Sequence, residues 1–366
     1  MTAMKYEKTG VDYGLMDPFK VAALKAARST AKNIARLGSS AVMTSYGEST
    51  FLTERSGLYL AHTNEGLGTK SLVADAMHGY GGRTFYDGIG QDTLAMIVND
   101  MITLGALPES VEMHLAVGNS EWFADTARYL ELIDGWWEAC RLAGCAWGGG
   151  ETPTLKDIVL PQTAMLGGSA VGIIKPKERL IRGNIRAGDA IVGIGSSGIH
   201  ANGLTLARKI AAILPDGFMT RLGDGRTYGE ALLDPTRIYV GLVEACLYQG
   251  VKIHYAVNVT GHGWRKLMRV DKPFVYRIEK LPTVPLVLKF MQEQGPISLS
   301  EAYGNLNMGM GFALYVPEDA VGAVRKLAGK QGLPSLRVGH IETAKEKKVV
   351  IEPLGIEYPG ETLKIR

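Results

Sequence analysis

Residues 58–70 read Leu58-Tyr59-Leu60-Ala61-His62-Thr63-Asn64-Glu65-Gly66-Leu67-Gly68-Thr69-Lys70, an apolar run that passes directly into a glycine-rich loop. The run Leu58 to His62 predicts a strand. The loop predicts close approach of backbone to a ligand, because glycine turns sharply and carries no side chain. One carboxylate, Glu65, and one lysine, Lys70, stand in that loop. Together they suggest a site for nucleotide phosphates, with Lys70 as a point charge. The loop is not a Walker A loop: Thr69, not glycine, precedes the lysine in Gly66-Leu67-Gly68-Thr69-Lys70-Ser71.

On the C-terminal side, an apolar helix is expected from Gln91 to Leu104, closed by Gly105 and followed by Pro108. Val111 to Val117 alternates as a strand does. Ser120 is placed to cap a helix whose stripe Phe123, Ala127, Leu130, Ile133, Trp137 and Cys140 would face the core. A second glycine loop, Gly148-Gly149-Gly150-Glu151-Thr152, leads to a strand from Thr163 to Ile174 broken at Gly167 and Gly168. On the N-terminal side, Ala22 to Leu37 reads as a basic amphipathic helix stopped by Gly38. Charge rises sharply over Lys175 to Arg186, which sets a domain boundary between 1–174 and 175–366. Beyond it come a strand at Asp189 to Ile194 and helices at Leu204 to Leu214 and Ala320 to Gly332. The fold class is α+β, in two comparable domains.

The central helix carries the acidic groups. Asp92 and Asn99 are seven residues apart and share a face, and Asp100 lies about 100° further round. Carboxylates on a buried helix need a basic partner, such as Lys70, or a cation. The second reading gathers Glu65, Asp92, Asp100 and Glu151 as ligands of Mg²⁺, which binds through carboxylates and substrate phosphates.

A third loop, Gly193-Ile194-Gly195-Ser196-Ser197-Gly198, fits the dinucleotide fingerprint G-x-G-x-x-G. No apolar second strand precedes the acidic Asp216, so the dinucleotide reading is rejected. The loop continues through His200, Ala201, Asn202 and Gly203. Its hydroxyls, imidazole and amide suit a polar substrate, with a phosphate on the backbone amides of Gly195 to Gly198 ahead of a helix.

Composition excludes several classes. The chain has 366 residues, 46% apolar and 21% charged, with a net charge of +3, so no broad basic surface for nucleic acid or membrane is expected. Three cysteines, Cys140, Cys145 and Cys246, fit a reducing compartment and read as small buried hydrophobes rather than a metal site. Met1 to Gly14 lacks the apolar stretch of a signal peptide, and no run approaches ~20 apolar residues. The expected location is the cytoplasm.

These loops, in this order, resemble the aminoimidazole ribonucleotide synthetase family over nearly the whole chain. The resemblance rests on Thr9-Gly10-Val11-Asp12, Gly66-x-Gly68-Thr69-Lys70, Ala95-Met96-x-Val98-Asn99-Asp100 and Gly149-Gly150-Glu151-Thr152. It continues through Gly195-Ser196-Ser197-Gly198-x-His200-x-Asn202-Gly203, Pro235-Thr236-Arg237-Ile238-Tyr239-Val240 and Thr260-Gly261, while the family's F-N-x-G-x-G-M appears altered as Leu306-Asn307-Met308-Gly309-Met310-Gly311-Phe312. Thiamine-monophosphate kinase, selenophosphate synthetase and formylglycinamidine ribonucleotide synthetase are related but share fewer of these elements.

The resemblance implies an N-terminal domain that dimerises through strands into a barrel, and a C-terminal α/β domain. It implies ATP-dependent ring closure of formylglycinamidine ribonucleotide, a ribonucleotide monophosphate, in a cleft between the domains. ATP is then expected at Glu65, Gly66, Gly68, Thr69, Lys70, Asn99, Gly149, Gly150 and Thr152. Substrate is expected at Gly195, Ser196, Ser197, Gly198, His200 and Asn202, with Lys70 and His200 as catalytic groups. The chain departs from the family at Glu65, where aspartate is usual, at Pro153 to Asp157, at His262 in place of glycine, and in the glycine-poor segment Leu37 to Phe51. Two other readings stand beside the cyclo-ligase. One is a member that activates another small acceptor, and the other is a nucleotide-binding subunit without turnover. Retention of Lys70, Asp92, Asn99, Asp100 and Glu151 counts against the last.

Overall fold

The computed structural model describes residues 13–295 and 297–363, so the Thr9 to Asp12 motif lies outside the described residues. Two sheets organise the chain. The first has six strands: β1 (Ser40–Ala41), β2 (Phe51–Arg55), β3 (Leu58–Gly66), β4 (Leu107–Val117), β5 (Ala146–Glu151) and β6 (Ala164–Ile174). Their spatial order is β1-β2-β3-β6-β4-β5. The second has seven: β7 (Ala190–Gly195), β8 (Tyr255–Asn258), β9 (Phe274–Ile278), β10 (Met310–Val316), β11 (Ser335–Thr343), β12 (Lys348–Ile351) and β13 (Ile356–Pro359). Their order is β13-β12-β9-β11-β7-β10-β8. The α+β expectation therefore holds. The first sheet is open within one chain, with β1 and β5 at its edges. β7 pairs antiparallel with both β10 and β11, so its glycine loop is not part of a parallel β-α-β unit.

Five helices matter for the site: α1 (Tyr13–Ser29), α2 (Ser71–Gly79), α3 (Tyr86–Met101), α4 (Thr126–Ala143) and α5 (Leu204–Ile213). α3 covers β3 and β6 and is buried along almost its whole length. The interior does not stop at the boundary between the sheets. Leu94 and Val98 of α3 share one apolar cluster with Ile194, Tyr239 and Phe312 of the second half. Among the described residues no helix is long and apolar enough to cross a membrane.

Several expected elements shift. The Ala22 to Leu37 helix is α1 followed by 3-10 turns over Ala31–Leu37, closed by Gly38 in the left-handed region. Ser120 begins a short 3-10 turn, and α4 is instead capped by Asp125, whose carboxylate accepts from the Arg128 N–H. The strand β6 runs through Gly167 and Gly168 without a break.

The expected core stripe of α4 is also corrected. Leu130, Ile133 and Trp137 are 48%, 40% and 60% exposed, and the buried face carries Leu132, Gly135, Trp136, Ala139, Cys140 and Ala143. The phase is set by glycine. A Cβ on Gly135 would lie 1.9 Å from the Asp87 carbonyl oxygen, and one on Gly90 would lie 2.7 Å from the Trp136 nitrogen. Two helices can approach this closely only where their facing residues lack side chains. Gly135→Ala should therefore lower stability by about 1–3 kcal/mol through overpacking, although alanine is the better helix former by about 1 kcal/mol. Urea unfolding measures this; a stabilised variant would show that the helices do not meet at Gly135.

Candidate active site

The strand β3 delivers Glu65, and the turn after it delivers Lys70 to the start of α2. Lys70 does not face a cavity. It is fully buried, and its Nζ stands 2.7 Å from Asp92 Oδ2 and 2.9 Å from Oδ1. It also donates to the Asp234 carbonyl at 2.8 Å. Asp92 Oδ1 further accepts the Thr236 N–H at 2.7 Å and the Thr236 hydroxyl. Oδ2 is a charge contact to Lys70 without a directed hydrogen bond. Burial pushes the Asp92 carboxyl upward, and Lys70 and Thr236 pull it back. The basic-partner alternative is thus the one realised: Asp92 is not open to a metal, and Lys70 is not open to a phosphate.

Asn99, one face along from Asp92, continues the same clasp. Its Nδ2 donates to the Arg237 carbonyl at 2.8 Å, and its Oδ1 accepts the Tyr239 N–H at 2.9 Å. The expected ATP contact of Asn99 is in this structure a bond between the halves. Residues 234–239, from the Pro235 to Val240 motif and the aspartate before it, are therefore held against α3 by Lys70, Asp92 and Asn99.

Asp100 points elsewhere. Its Oδ1 accepts Asn258 Nδ2, from β8 of the second half, at 2.7 Å. Glu65, at the end of β3 in the same half, is its neighbour, and the two carboxyls are close enough to hydrogen-bond. Burial first, and then the Asp100 charge, raise Glu65 to about 7, with Lys266 opposing. Two adjacent carboxyls, Glu65 half-buried and Asp100 buried, are a place where a cation is wanted.

The expected four-carboxylate set does not assemble. Asp92 is sequestered, and Glu151 is exposed at the end of the edge strand β5. The sheet register gives the separation. Glu65 pairs with Gly168, Gly168 with Met113, and Met113 with Gly150, so three strand spacings of ~4.8 Å put Glu65 ~14 Å from the Gly150-Glu151 strand. Among the described residues no three His, Cys, Asp or Glu side chains group to hold an ion. Glu65 and Asp100 remain as a pair, which suits a Mg²⁺ that takes its other ligands from phosphate and water. Gly66 and Gly68 are exposed beside Glu65, and Thr69 Oγ1 lies 3.4 Å from Thr205 Oγ1 of α5. Gly149, Gly150 and Thr152 are exposed on the far edge of the sheet.

The third loop is bonded mainly to its own surroundings. The N–H groups of Gly195 and Ser196 donate to the carbonyls of Pro334 and Gly309, at 2.7 and 3.1 Å. That of Ser197 donates to His200 Nε2 at 3.2 Å. Ser196 Oγ donates to Asn307 Oδ1, and Ser197 Oγ to the Pro235 carbonyl. Asn307 Nδ2 in turn donates to the carbonyls of Gly198 and Ile199. Three of the four amides expected to meet a phosphate are thus already engaged, and α5 starts only at Leu204, with Gly203 as its cap. Gly195, Ser196 and Ser197 still line a cavity of about 640 Å³, together with Arg226, Thr283 and Pro334. Asn202 lies beside Met96, its Nδ2 3.6 Å from the sulfur.

His200 sits in the left-handed region (φ 63°), buried, with Nε2 accepting from Ser197. Burial, then Lys70 and Arg237, hold its imidazole down at about 3. The ring is neutral at physiological pH and pins the loop; it does not stand free for proton transfer. His262 likewise adopts φ 68° and is held at about 3 by burial and by Lys266 and Arg265.

Four groups here escaped the sequence reading. Lys266 Nζ donates to Thr260 Oγ1 and, at 3.4 Å, to the Asn258 carbonyl. Asn258 holds Asp100. Arg269 donates to Ser49 Oγ at 2.6 Å and to the Gly47 carbonyl at 2.9 Å, and Tyr255 donates to Glu48 Oε2 at 3.1 Å. These bonds fasten the glycine-poor segment to the second half. The polar residues following Thr260-Gly261 were the available signal.

The comparisons with known proteins agree with this two-part layout. Residues 38–174 match the family described as AIR synthase related protein, N-terminal domain, and residues 186–352 match its C-terminal domain. The phosphoribosylformylglycinamidine cyclo-ligase of Thermococcus kodakarensis is 34% identical over 367 residues, covering 99% of this chain and 100% of that protein. That of Carboxydothermus hydrogenoformans is 36% identical over 298 residues, covering 80% and 83%. Among solved structures, one described as AaThiL complexed with AMPPCP and TMP has a TM-score of 0.59 at 16% identity, covering 95% of this chain and 96% of that one. One described as a HypE-HypF complex has a TM-score of 0.59 at 17% identity, covering 85% and 92%. These structural likenesses concern the fold.

Two outcomes follow from the geometry. Lys70→Met should cost about 3–5 kcal/mol, because it strands a buried carboxylate. Lys70→Met with Asp92→Asn should cost less, since asparagine still accepts from Thr236 and is neutral; equal losses would mean that the pair is not buried. For His200, the unfolded chain takes up a proton below its ordinary 6.5 and the folded chain only near 3. Its stability contribution is full above pH 6.5 and lost as pH falls. His200→Gln should reduce the acid slope by about 1.4 kcal/mol per pH unit, compared by urea unfolding at pH 5 and 7. An unchanged slope would mean that the ring is charged in the fold.

Proposed function

The chain belongs to the AIR synthase related protein family, and we propose that it is the ATP-dependent cyclo-ligase that closes formylglycinamidine ribonucleotide to aminoimidazole ribonucleotide, releasing ADP and phosphate. The observation that carries this reading is the seam. Glu65 from the first half, Asp100 from α3 and Asn258 from the second half meet there in one charged cluster. A relative that shares the full length of the chain carries the cyclo-ligase name, which favours this acceptor over another.

In the reaction the formyl oxygen takes the γ-phosphoryl group of ATP. An amidine nitrogen then attacks the formyl carbon, and phosphate leaves with the former formyl oxygen. Glu65 and Asp100 would hold a Mg²⁺ carried in by the nucleotide, which neutralises charge on the transferring group when bound. Asn258 keeps Asp100 oriented, and the clasp on residues 234–239 fixes the two halves against each other, so the reactants meet in a set geometry. The cavity beside Ser197 and Arg226 offers the ribonucleotide a polar wall with a guanidinium, although Arg226 already pairs with Asp224 and Asp234.

The same proposal includes a homodimer. The strand β5 is an exposed edge, and Trp147 on it stands 6.2 Å from Trp136. A cavity of about 630 Å³ opens there, lined by Met113, Leu115, Phe123, Ile133 and Trp147. With Leu130 and Trp137 exposed nearby, this side of the first sheet has the apolar character that a second copy would cover.

Incubation with ATP, Mg²⁺ and formylglycinamidine ribonucleotide should yield ADP and aminoimidazole ribonucleotide one for one. Asp100→Asn should abolish turnover with an unchanged melting profile, because asparagine can still accept from Asn258. ADP formation that depends on a different acceptor would replace this assignment. In sedimentation the wild type should run as a dimer and Trp137→Glu should weaken it; a monomeric wild type at micromolar concentration rules the dimer out.

A further inference from the structure

With Lys70 locked against Asp92, the cation expected to meet the nucleotide's phosphates has to come from elsewhere. Lys266 lies in the short 3-10 turn Gly263–Met268, directly after the Thr260-Gly261 turn. Its Nζ donates to Thr260 Oγ1 and to the Asn258 carbonyl, both neutral acceptors. Asn258 uses its side-chain amide to hold Asp100. One residue therefore ties the ammonium to the carboxyl pair, and Lys266 acts on the charges of both Glu65 and Asp100.

An ammonium has three N–H donors, and two neutral acceptors leave one to be used. The neighbours Arg269 and Lys20 oppose its charge. A third donor on this partly buried ammonium, with Arg269 and Lys20 beside it, is a place for a further anion to bind. The adjoining carboxyl pair decides which anion. Glu65 and Asp100 suit a divalent ion bound to a polyphosphate, so the group expected beside them is the polyphosphate rather than the single phosphate of a ribonucleotide.

We infer that Lys266 is the cation this chain presents to the polyphosphate of its nucleotide, the task that sequence alone gives to Lys70. The inference rests on the ATP reading above, and it makes Lys266 a binding residue that is absent from the glycine loops.

The test is calorimetric titration of ATP and AMP, with Mg²⁺ present, into the wild type, Lys266→Met and Lys266→Arg, alongside thermal melting. Loss of a charge-assisted hydrogen bond should weaken ATP by about tenfold or more in Lys266→Met, with AMP affinity within about twofold. Lys266→Arg keeps the charge and should return ATP affinity to within about threefold of wild type. A folded Lys266→Met that binds ATP like the wild type overturns the inference. Equal loss of ATP and AMP also overturns it, because that marks general collapse of the site. If Lys266→Met does not fold, Lys266→Gln is read by the same criteria. Wild-type protein that binds no ATP overturns the functional reading, and this inference with it.

Discussion

The ion pair between Lys70 and Asp92 is the constraint on which the rest of the structure depends. Both groups are removed from water, where neither charge would be tolerated alone. The remaining bonding capacity of each is directed at the second half of the chain. Lys70 takes the Asp234 carbonyl, and Asp92 takes the amide and hydroxyl of Thr236. Asn99 extends the attachment to Arg237 and Tyr239. Because α3 is also the helix that covers the first sheet, the clasp fixes both sheets relative to one rigid element. Asp100, about a quarter-turn further round that helix, is carried to Asn258 as a consequence.

The polar groups of the chain divide into two kinds. Those of the third loop and of the Lys70 clasp are satisfied by the protein itself, which makes them structural. Asn307 shows this most clearly, with a side chain that closes around Ser196, Gly198 and Ile199. The seam cluster is different. Burial, and then the neighbouring Asp100, raise Glu65 to about 7, and Lys266 is pulled below its ordinary range by burial. Such unbalanced charges are where a ligand has most to gain by entering.

Much of the fold was legible in the sequence because it rests on local signals. The run Leu58 to His62 is a strand, Gly105 ends the helical run after α3, and the two-domain α+β arrangement follows from the pattern of elements. The phase of α4 was not legible: its apolar residues lie on two faces, and only the distant pairing of Gly135 with Asp87 selects one. At the site, the shared face of Asp92 and Asn99 was readable from spacing. Lys70 was readable as a candidate partner for Asp92, but Thr236, which completes its bonding, was not, since it lies more than a hundred residues away. Lys266 was hidden for the same reason. Its place just after the Thr260-Gly261 turn was the one local signal, and only the meeting of β8 with β3 and α3 brings it to the carboxyls.

What the seam would do in turnover is move one oxygen. The formyl oxygen of the substrate becomes a leaving group by taking a phosphoryl group, and it departs as part of the phosphate when the ring closes. The most direct measurement uses formylglycinamidine ribonucleotide labelled with ¹⁸O in the formyl group, with the phosphate recovered and weighed by mass spectrometry. The account predicts one ¹⁸O atom in each phosphate released. Unlabelled phosphate formed together with ADP and the closed ring would contradict it.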